Sequence, residues 1–234
     1  MSIKYIKEID KPDAIDILIP AAGLGRRMKA YGPKPLIKIK NNTTIIDNQL
    51  SLLKKYIHCD KTILVCGFEA DLVMNNTPDY LIKIENEHYE TTNVARSIGM
   101  GLRACTKDVM IIYGDVVFNS NTLKGLSLNH SCIISSNNIM DENEVGCTVN
   151  AKGYVENFMY DLESKWGQIV LLKGKELRMA RKYCWDSNNY NKFGFEILNK
   201  IISQGGKILS HNPSGSRILD VDTSKDVERA KTII

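Results

Sequence analysis

Two glycines followed by basic residues are the first candidates for binding chemistry. Residues 20–28 read PAAGLGRRM, and we call this segment the glycine loop. Glycines allow backbone N–H groups to approach phosphate oxygens without a clash with Cβ. Arg27 and Lys34 could donate to the same oxygens from two sides. Met28 stands where a dinucleotide-binding motif needs its third glycine, and the Walker pattern is absent. The loop predicts a triphosphate site, with an exposed glycine turn and a solvated basic loop as the competing interpretation.

Acidic residues follow two apolar runs and are the second candidates. Residues 109–113 are apolar and are followed by Gly114 and Asp115. Ligands of open α/β sheets bind at the carboxyl ends of strands, where Asp115 would lie; the alternative is an Asp that caps a turn. Asp220 and Asp222 flank Val221, and strand alternation would send both carboxylates to one face. They could therefore share a site, with Asp222 nearer the strand end.

A third candidate segment covers residues 86–98. Asn93 precedes a helical pattern, where its side chain could cap free backbone amides. The same carboxamide could also read the edge of a base, because it donates and accepts at once. Both interpretations stay open for Asn93.

The elements that must position these residues alternate between strands and helices. Apolar runs at residues 16–20, 61–66, 81–84 and 109–113 predict strands, and residues 44–56, 69–74 and 93–104 predict helices. Short strand candidates follow at residues 132–135, 145–149, 154–159 and 168–172. Helices are predicted at 177–183, 193–202 and 224–234, and final strands at 207–210 and 217–221. We predict an α/β fold: a Rossmann-like mixed, mostly parallel sheet with helices on both faces and a β-rich insertion in the second half.

Composition excludes several classes of protein. The chain has 234 residues, a net charge of +4, and no apolar run near the ~20 residues that cross a bilayer. The charge excess is too small and dispersed to indicate nucleic-acid binding. The six cysteines form no C-x-x-C pair and lack zinc spacing, and the first residues lack the apolar core of a signal peptide. We expect a protein of the reducing cytoplasm.

The glycine loop and residues 33–36 (PKPL) together resemble a known family signature. The nucleotidyltransferases that activate sugar phosphates and related small phosphorylated compounds carry A-A-G-x-G-[ST]-R-M, a short gap, and P-K-x-L. Residues 86–98 are similar to N-x-x-Y-x-x-x-N-x-x-x-S-[LI] of the phosphocholine cytidylyltransferase branch. Residues 219–227 resemble the late segment [ILV]-D-[ILV]-[DN]-T-x-x-D-[LV]. Residues 109–115 are similar to the family's central strand, which ends in a metal-binding Asp. Counting the glycine loop with residues 33–36 as one, these four segments occur in family order. The resemblance implies a GT-A-like nucleotidyltransferase fold, with residues 1–234 as one domain: a nucleotide-binding half (16–118) and an acceptor-binding, metal-completing half (119–234).

The resemblance also implies roles for individual residues. Arg27 and Lys34 match the family's catalytic phosphate-binding Arg and Lys, and Asp115 and Asp222 match the ligands of a Mg²⁺ cofactor. The nucleotide-binding residues implied are Ala21, Ala22, Gly23, Leu24, Gly25, Asn86, Asn93 and Ser97. For Ser97, packing between helix and sheet is the competing interpretation.

Three further residues are candidates whose roles stay open. Arg26 stands where the family usually has Ser or Thr, and it could alter triphosphate contacts or point to solvent. Arg96 could meet an acceptor phosphate or be a surface charge, and Asp220 could join Asp222. Trp166 and Trp185 could form a wall around a cationic head group, with ordinary packing as the alternative.

The implied reaction joins CTP to a small phosphorylated or phosphonate acceptor and releases pyrophosphate. The alternatives are a sugar-1-phosphate uridylyl- or guanylyltransferase, a metal-dependent glycosyltransferase using the D-x-D of residues 220–222, and a non-enzymatic sensor on the same fold. The expected partners are CTP and the acceptor, with no nucleic acid and no membrane. A homodimer is left open.

Overall fold

A computed structural model describes residues 14–136, 144–162 and 164–234. The strands in these ranges are β1 (Ile15–Ala21), β2 (Lys38–Lys40), β3 (Thr43–Thr44), β4 (Cys59–Cys66), β5 (Ile82–Glu85), β6 (Val109–Ile112), β7 (Val116–Phe118), β8 (Cys132–Ser136), β9 (Val145–Val149), β10 (Val155–Tyr160), β11 (Ser164–Leu172), β12 (Leu209–His211) and β13 (Ile218–Asp220). The α-helices there are α1 (Ile45–Tyr56), α2 (Ala70–Asn75), α3 (Val94–Ala104), α4 (Gly174–Trp185), α5 (Gly194–Ser203) and α6 (Ser224–Ala230). None of these helices is long and apolar enough to cross a membrane.

One large sheet runs through the molecule and combines both strand directions. Its main order is β10-β9-β11-β6-β1-β4-β5, with β8 paired to β11 and β12. The strands β6, β1, β4 and β5 are parallel, whereas β11 runs antiparallel to β6, β8 and β9. The predicted α/β fold with a mixed sheet is confirmed, and its antiparallel strands come from the second half of the chain.

Alternation along the central strand β1 explains why helices cover both faces. Ile17 and Ile19 pack in one buried cluster with residues of α1 and α2, whereas Leu18 packs in a second cluster with residues of α3, α4 and α5. Successive side chains of a strand point to opposite faces, so an apolar run without alternation must be covered on both sides.

The capping residues fix where two of the helices begin. Thr44 and Asp47 form a reciprocal capping box at the start of α1. Asn93 caps α3 by accepting a hydrogen bond from Val94 N at 2.8 Å.

A small second ladder joins the two halves of the chain. Strand β7, which directly follows Asp115, pairs antiparallel with β13 over Val116–Phe118 and Ile218–Asp220. The ladder packs in a third buried cluster that includes Met28, Ile39 and Val227. The sequence does not predict strand β7, because three residues between polar turns are too few to show an alternating hydrophobic pattern.

Some predicted bounds differ from the observed ones. Strand β11 begins at Ser164 rather than at 168, and α6 ends at Ala230 rather than at 234. The first part of β11 contains the polar residues Ser164 and Lys165, which hide the strand from a hydrophobic pattern. The backbone of these residues pairs with β9 and β8, and the Lys165 ammonium is paired with Glu144 and Asp220.

Candidate active site

The glycine loop lies at the carboxyl end of β1, where the sequence places it. Gly25 adopts a left-handed backbone with φ of +52°, and a Cβ on it would lie 3.3 Å from Cγ of Lys34. A Cβ on Gly23 would meet no atom within 4 Å, so this stretch of backbone is open to a ligand. The Lys34 stem therefore passes directly beside the loop, and both features face the same region.

Two carboxylates converge on the ammonium group of Lys34. Its Nζ lies 2.8 Å from Oδ2 of Asp115 and 2.6 Å from Oδ1 of Asp222. Arg27 Nη2 lies 2.8 Å from the other oxygen of Asp222. Burial alone would lower the pKa of Lys34, but the charges of Asp115 and Asp222 outweigh burial and raise this pKa above its ordinary value. The four predicted phosphate- and metal-binding side chains thus form one cluster.

The backbone explains how the two carboxylates meet. Asp115 follows β6, and its carbonyl oxygen accepts a hydrogen bond from Val221 N at 2.9 Å. This bond extends the ladder of β7 and β13, so Asp222 is delivered beside Asp115 from more than 100 residues away in sequence.

The carboxylate pair has the chemistry of a divalent-cation site. Mg²⁺ prefers oxygen ligands and is commonly held by one or two carboxylates together with substrate phosphates. Asp115 and Asp222 reach the same Nζ atom, so both could contribute oxygens to one cation. The described residues contain no group of three or more His, Cys, Asp or Glu side chains that could hold a metal by themselves. The arrangement therefore fits a cation that shares its coordination with phosphates.

Asp220 lies in a different environment from Asp222. Its Oδ1 is 2.8 Å from Lys165 Nζ, and its Oδ2 accepts a hydrogen bond from Gln168 Nε2 at 3.1 Å. Burial opposes its ionisation, but the charge of Lys165 lowers the pKa of Asp220 below its ordinary value. Strand β13 ends at Asp220, so strand alternation does not extend to Asp222. The two carboxylates of the D-x-D therefore engage different lysines and do not share one group.

Part of the segment 86–98 forms a wall of the site together with the glycine loop. Asn86 is buried: its Nδ2 lies 3.1 Å from Ser97 Oγ, and its Oδ1 accepts a hydrogen bond from His88 N. These bonds tie the turn before α3 to the helix, so Asn86 and Ser97 support the wall. Asn93 is half-buried at the start of α3 and uses only its oxygen for the cap.

A cavity of about 300 Å³ joins these parts. Its lining includes Ala21, Ala22, Gly23 and Gly25 of the glycine loop, but not Leu24. Lys34, Asn86, Asn93, Ser97 and Asp115 also line it. Sequence reasoning missed Tyr89, Tyr113, Gln168 and Phe193, which are also part of the lining. Gln168 could have been found from the sequence, because it is a polar residue within an apolar strand pattern.

Other sequence candidates lie elsewhere. The guanidinium of Arg96 stacks over Tyr190 and Trp185, at 4.3 and 5.0 Å from the ring centroids, and does not line the cavity. Trp166 is buried between Tyr113 and Phe158. Trp166 is therefore part of the buried core, whereas Trp185 is exposed, and neither tryptophan lines the cavity. The side chain of Arg26 lies outside the described part of the structure.

Three solved structures share this fold at low sequence identity. The CTP:phosphocholine cytidylyltransferase LicC from Streptococcus pneumoniae is 17% identical, with a TM-score of 0.79 over 94% of this chain and 99% of that one. The inositol-1-phosphate CTP transferase from T. maritima is 16% identical, with a TM-score of 0.78 over 94% and 95%. A putative glucose-1-phosphate thymidylyltransferase from Bacillus anthracis is 14% identical, with a TM-score of 0.73 over 94% of each chain. The TM-scores show a common fold, and at identities this low the likeness extends to the fold alone.

Sequence comparison gives a closer assignment. The bifunctional protein GlmU from Thermosipho melanesiensis is 34% identical over 115 residues, which cover 48% of this chain and 24% of that protein. The chain thus matches only about a quarter of this curated relative. Residues 17–138 match the model of the MobA-like NTP transferase domain. This match spans more than half of the chain and contains the glycine loop, Lys34 and Asp115, and the chain therefore belongs to the MobA-like NTP transferase family of nucleotidyltransferases.

Proposed function

We propose that the protein transfers a cytidylyl group from CTP to a small phosphorylated or phosphonate acceptor and releases pyrophosphate, with Mg²⁺ as cofactor. The observation that carries the proposal is the convergence of Lys34, Arg27, Asp115 and Asp222 beside the open glycine loop. The glycine loop, Lys34 and Asp115 line the cavity, and Arg27 and Asp222 join Lys34 in the same charged cluster without lining it. A phosphate-binding loop, two cations and two carboxylates are the parts that phosphoryl-group chemistry needs.

The charges of the cluster support a cation that arrives with the nucleotide. Two basic and two acidic side chains sum to zero, so the cluster alone has no surplus charge to balance a triphosphate. When bound, Mg²⁺ would neutralise the α-phosphate and favour its attack by an anionic oxygen. Asp115 and Asp222 are the residues that would hold it.

The chain's own residues would then position and stabilise the reacting groups. An acceptor phosphate or phosphonate is already an anion, so no side chain has to remove a proton from it. Lys34 and Arg27 would donate to the pyrophosphate oxygens as negative charge accumulates there, together with the backbone N–H groups of the glycine loop. Tyr89 and Asn93 line the same cavity, and the base would lie beside them.

The preference for cytosine rests on the capping bond of Asn93. Because Oδ1 accepts from Val94 N, the remaining group of this carboxamide is the donor Nδ2. Cytosine presents an unprotonated ring nitrogen to such a donor, whereas uracil presents an N–H at that position. A mismatch of two donors leaves a polar group unpaired and costs about 1–3 kcal/mol, which corresponds to roughly tenfold or greater selectivity.

The test is release of pyrophosphate with Mg²⁺ and all pairings of CTP, UTP, GTP and ATP with phosphocholine, phosphonates, and sugar and polyol phosphates. We expect CTP to be used best, and Asp222→Asn to lose the activity. Asp79→Asn removes a fully exposed carboxylate outside the cavity and should leave the activity intact. Absence of pyrophosphate release in every pairing would refute the proposed reaction, and efficient use of GTP would refute the base preference.

A further inference from the structure

Gln168 has an unusual backbone at the edge of the cavity. Its φ is +55°, in the left-handed region that residues with a Cβ rarely adopt. It lies within β11 where the pairing register with β8 shifts between Trp166 and Val170, which marks a bulge. Bulges and residues with a left-handed backbone conformation concentrate at functional sites. There they direct a side chain that regular strand geometry would point elsewhere.

A buried ionic group fixes the orientation of the Gln168 carboxamide. Gln168 Nε2 lies 3.1 Å from Asp220 Oδ2, and the other oxygen of Asp220 binds Lys165 Nζ, which also binds Glu144. A carboxylate can only accept, so the NH₂ group of Gln168 must face Asp220. Its Oε1 accepts no hydrogen bond from the residues that the structure describes and is not among their buried unpaired atoms. Among the described residues, the carboxamide is therefore held with Oε1 available as an acceptor.

Gln168 lies on the side of β6 away from the glycine loop. Strand β11 lies on one side of β6, whereas β1 and its glycine loop lie on the other, with Asp115 following β6 between them. The cavity lining contributed by described residues carries charge only at Lys34 and Asp115, and these two are paired with each other.

We propose that Gln168 determines acceptor specificity by accepting a hydrogen bond from a hydroxyl group of the acceptor through Oε1. The acceptor class is then a phosphorylated polyol or sugar rather than phosphocholine, whose quaternary ammonium has no N–H or O–H to donate. Lys165 and Asp220 are positioning residues that keep the carboxamide from flipping. The inference rests on the proposed function and names the substrate class of the same site.

Gln168→Met tests the contact, because methionine keeps the length of the side chain and removes the acceptor. The measurement is kcat/KM for glycerol 3-phosphate, glucose 1-phosphate, inositol 1-phosphate and phosphocholine, each with saturating CTP. We expect wild type to prefer a hydroxyl-bearing acceptor and Gln168→Met to raise the KM for it by roughly five- to tenfold. The KM for CTP should stay unchanged. Gln204→Met makes the same replacement at an exposed residue outside the cavity and should change neither constant.

Two further variants keep the inference falsifiable if methionine disturbs the bulge. Gln168→Gly suits the left-handed backbone and should fold while showing the same rise in acceptor KM. Asp220→Asn offers a donor as well as an acceptor, so the Gln168 carboxamide can flip. We expect a higher KM for the hydroxyl-bearing acceptor, with the KM for CTP unchanged.

The outcomes distinguish failure of this inference from failure of the proposed function. Turnover of phosphocholine in preference to every hydroxyl-bearing acceptor would overturn the role of Gln168 and leave the transfer reaction standing. An unchanged acceptor KM in both folded Gln168 variants would do the same. No pyrophosphate release with any nucleotide and acceptor would overturn both.

Discussion

Replacement of Lys165 by methionine should strongly destabilise the fold, because this lysine neutralises two carboxylates in the interior. Its side chain is 5% exposed, and those of Glu144 and Asp220 are 10% and 15% exposed. Removing one partner of a buried ion pair costs about 3–5 kcal/mol, since the remaining charge loses its compensation. Gln168 still donates to Asp220, so we expect the lower end, about 3 kcal/mol. For a chain of this size that corresponds to a fall in Tm of roughly 6–12 °C.

The loss of stability in Lys165→Met should also depend on pH. In wild type the lowered pKa of Asp220 contributes stability above the unfolded value of about 4, and this contribution is lost as pH falls through the lower folded pKa. Without Lys165, burial of Asp220 raises its pKa instead, and protonation relieves the uncompensated charge. The difference in Tm between Lys165→Met and wild type should therefore be largest near pH 8 and shrink towards pH 5.

The assay is thermal unfolding followed by circular dichroism across this pH range. Lys192→Met is the matched control, because Lys192 pairs with Glu196 at 2.7 Å on the surface, with a side chain that is 48% exposed. Such a pair contributes less than about 1 kcal/mol, so the control should melt close to wild type at every pH. A Lys165→Met protein that also melts within about 2 °C of wild type at pH 8 would refute the reasoning, since a buried charge cannot be left unpaired at so little cost.

Three further predictions concern catalysis. Asp115→Asn and Asp222→Asn should each lower kcat by at least about a hundredfold while the protein melts like wild type; near-normal turnover by both variants would remove these carboxylates from the metal site. Lys34→Ala should lower kcat/KM by roughly a hundredfold with metal binding retained, as measured by Mn²⁺ titration with electron paramagnetic resonance, and unchanged kcat/KM would exclude its contact with phosphate. Asn93→Ala should reduce the preference for CTP over UTP by about tenfold and cost about 1 kcal/mol of stability through loss of the cap. Lower stability with unaltered base selectivity would mean that Asn93 acts as a cap alone.

Local pattern was sufficient for the elements that carry the first half of the site. Apolar runs of four to eight residues identified β1, β4 and β6, because a strand covered by helices on both faces must be apolar throughout. Asp115 follows such a run directly, so its place at the carboxyl edge of the sheet could be predicted from sequence.

The side-chain partners of residues 86–98 could not be predicted from local pattern. The sequence predicts that Asn86 and Ser97 bind nucleotide, and the structure places both in the cavity lining and adds a hydrogen bond between them that the sequence did not predict. Whether a polar side chain faces a ligand or the protein depends on the distance to its neighbours across a turn, and residue type carries no such distance.

The sequence by itself determined most of the longer strands and helices, the glycine loop, and the carboxylate that follows β6, because each depends on contacts within a few residues; the short strands β2, β3 and β7 were not predicted. Only the tertiary structure decided which distant groups meet. Lys34 contacts Asp222, 188 residues away in sequence, while Asp220 binds Lys165 and Gln168 on β11. Those contacts follow from where β13 ends, how it pairs with β7, and where β11 bulges. The physical reason is that hydrogen bonds between strands and charge pairing in the interior act across the sheet, between segments whose separation along the chain carries no information about their distance in space.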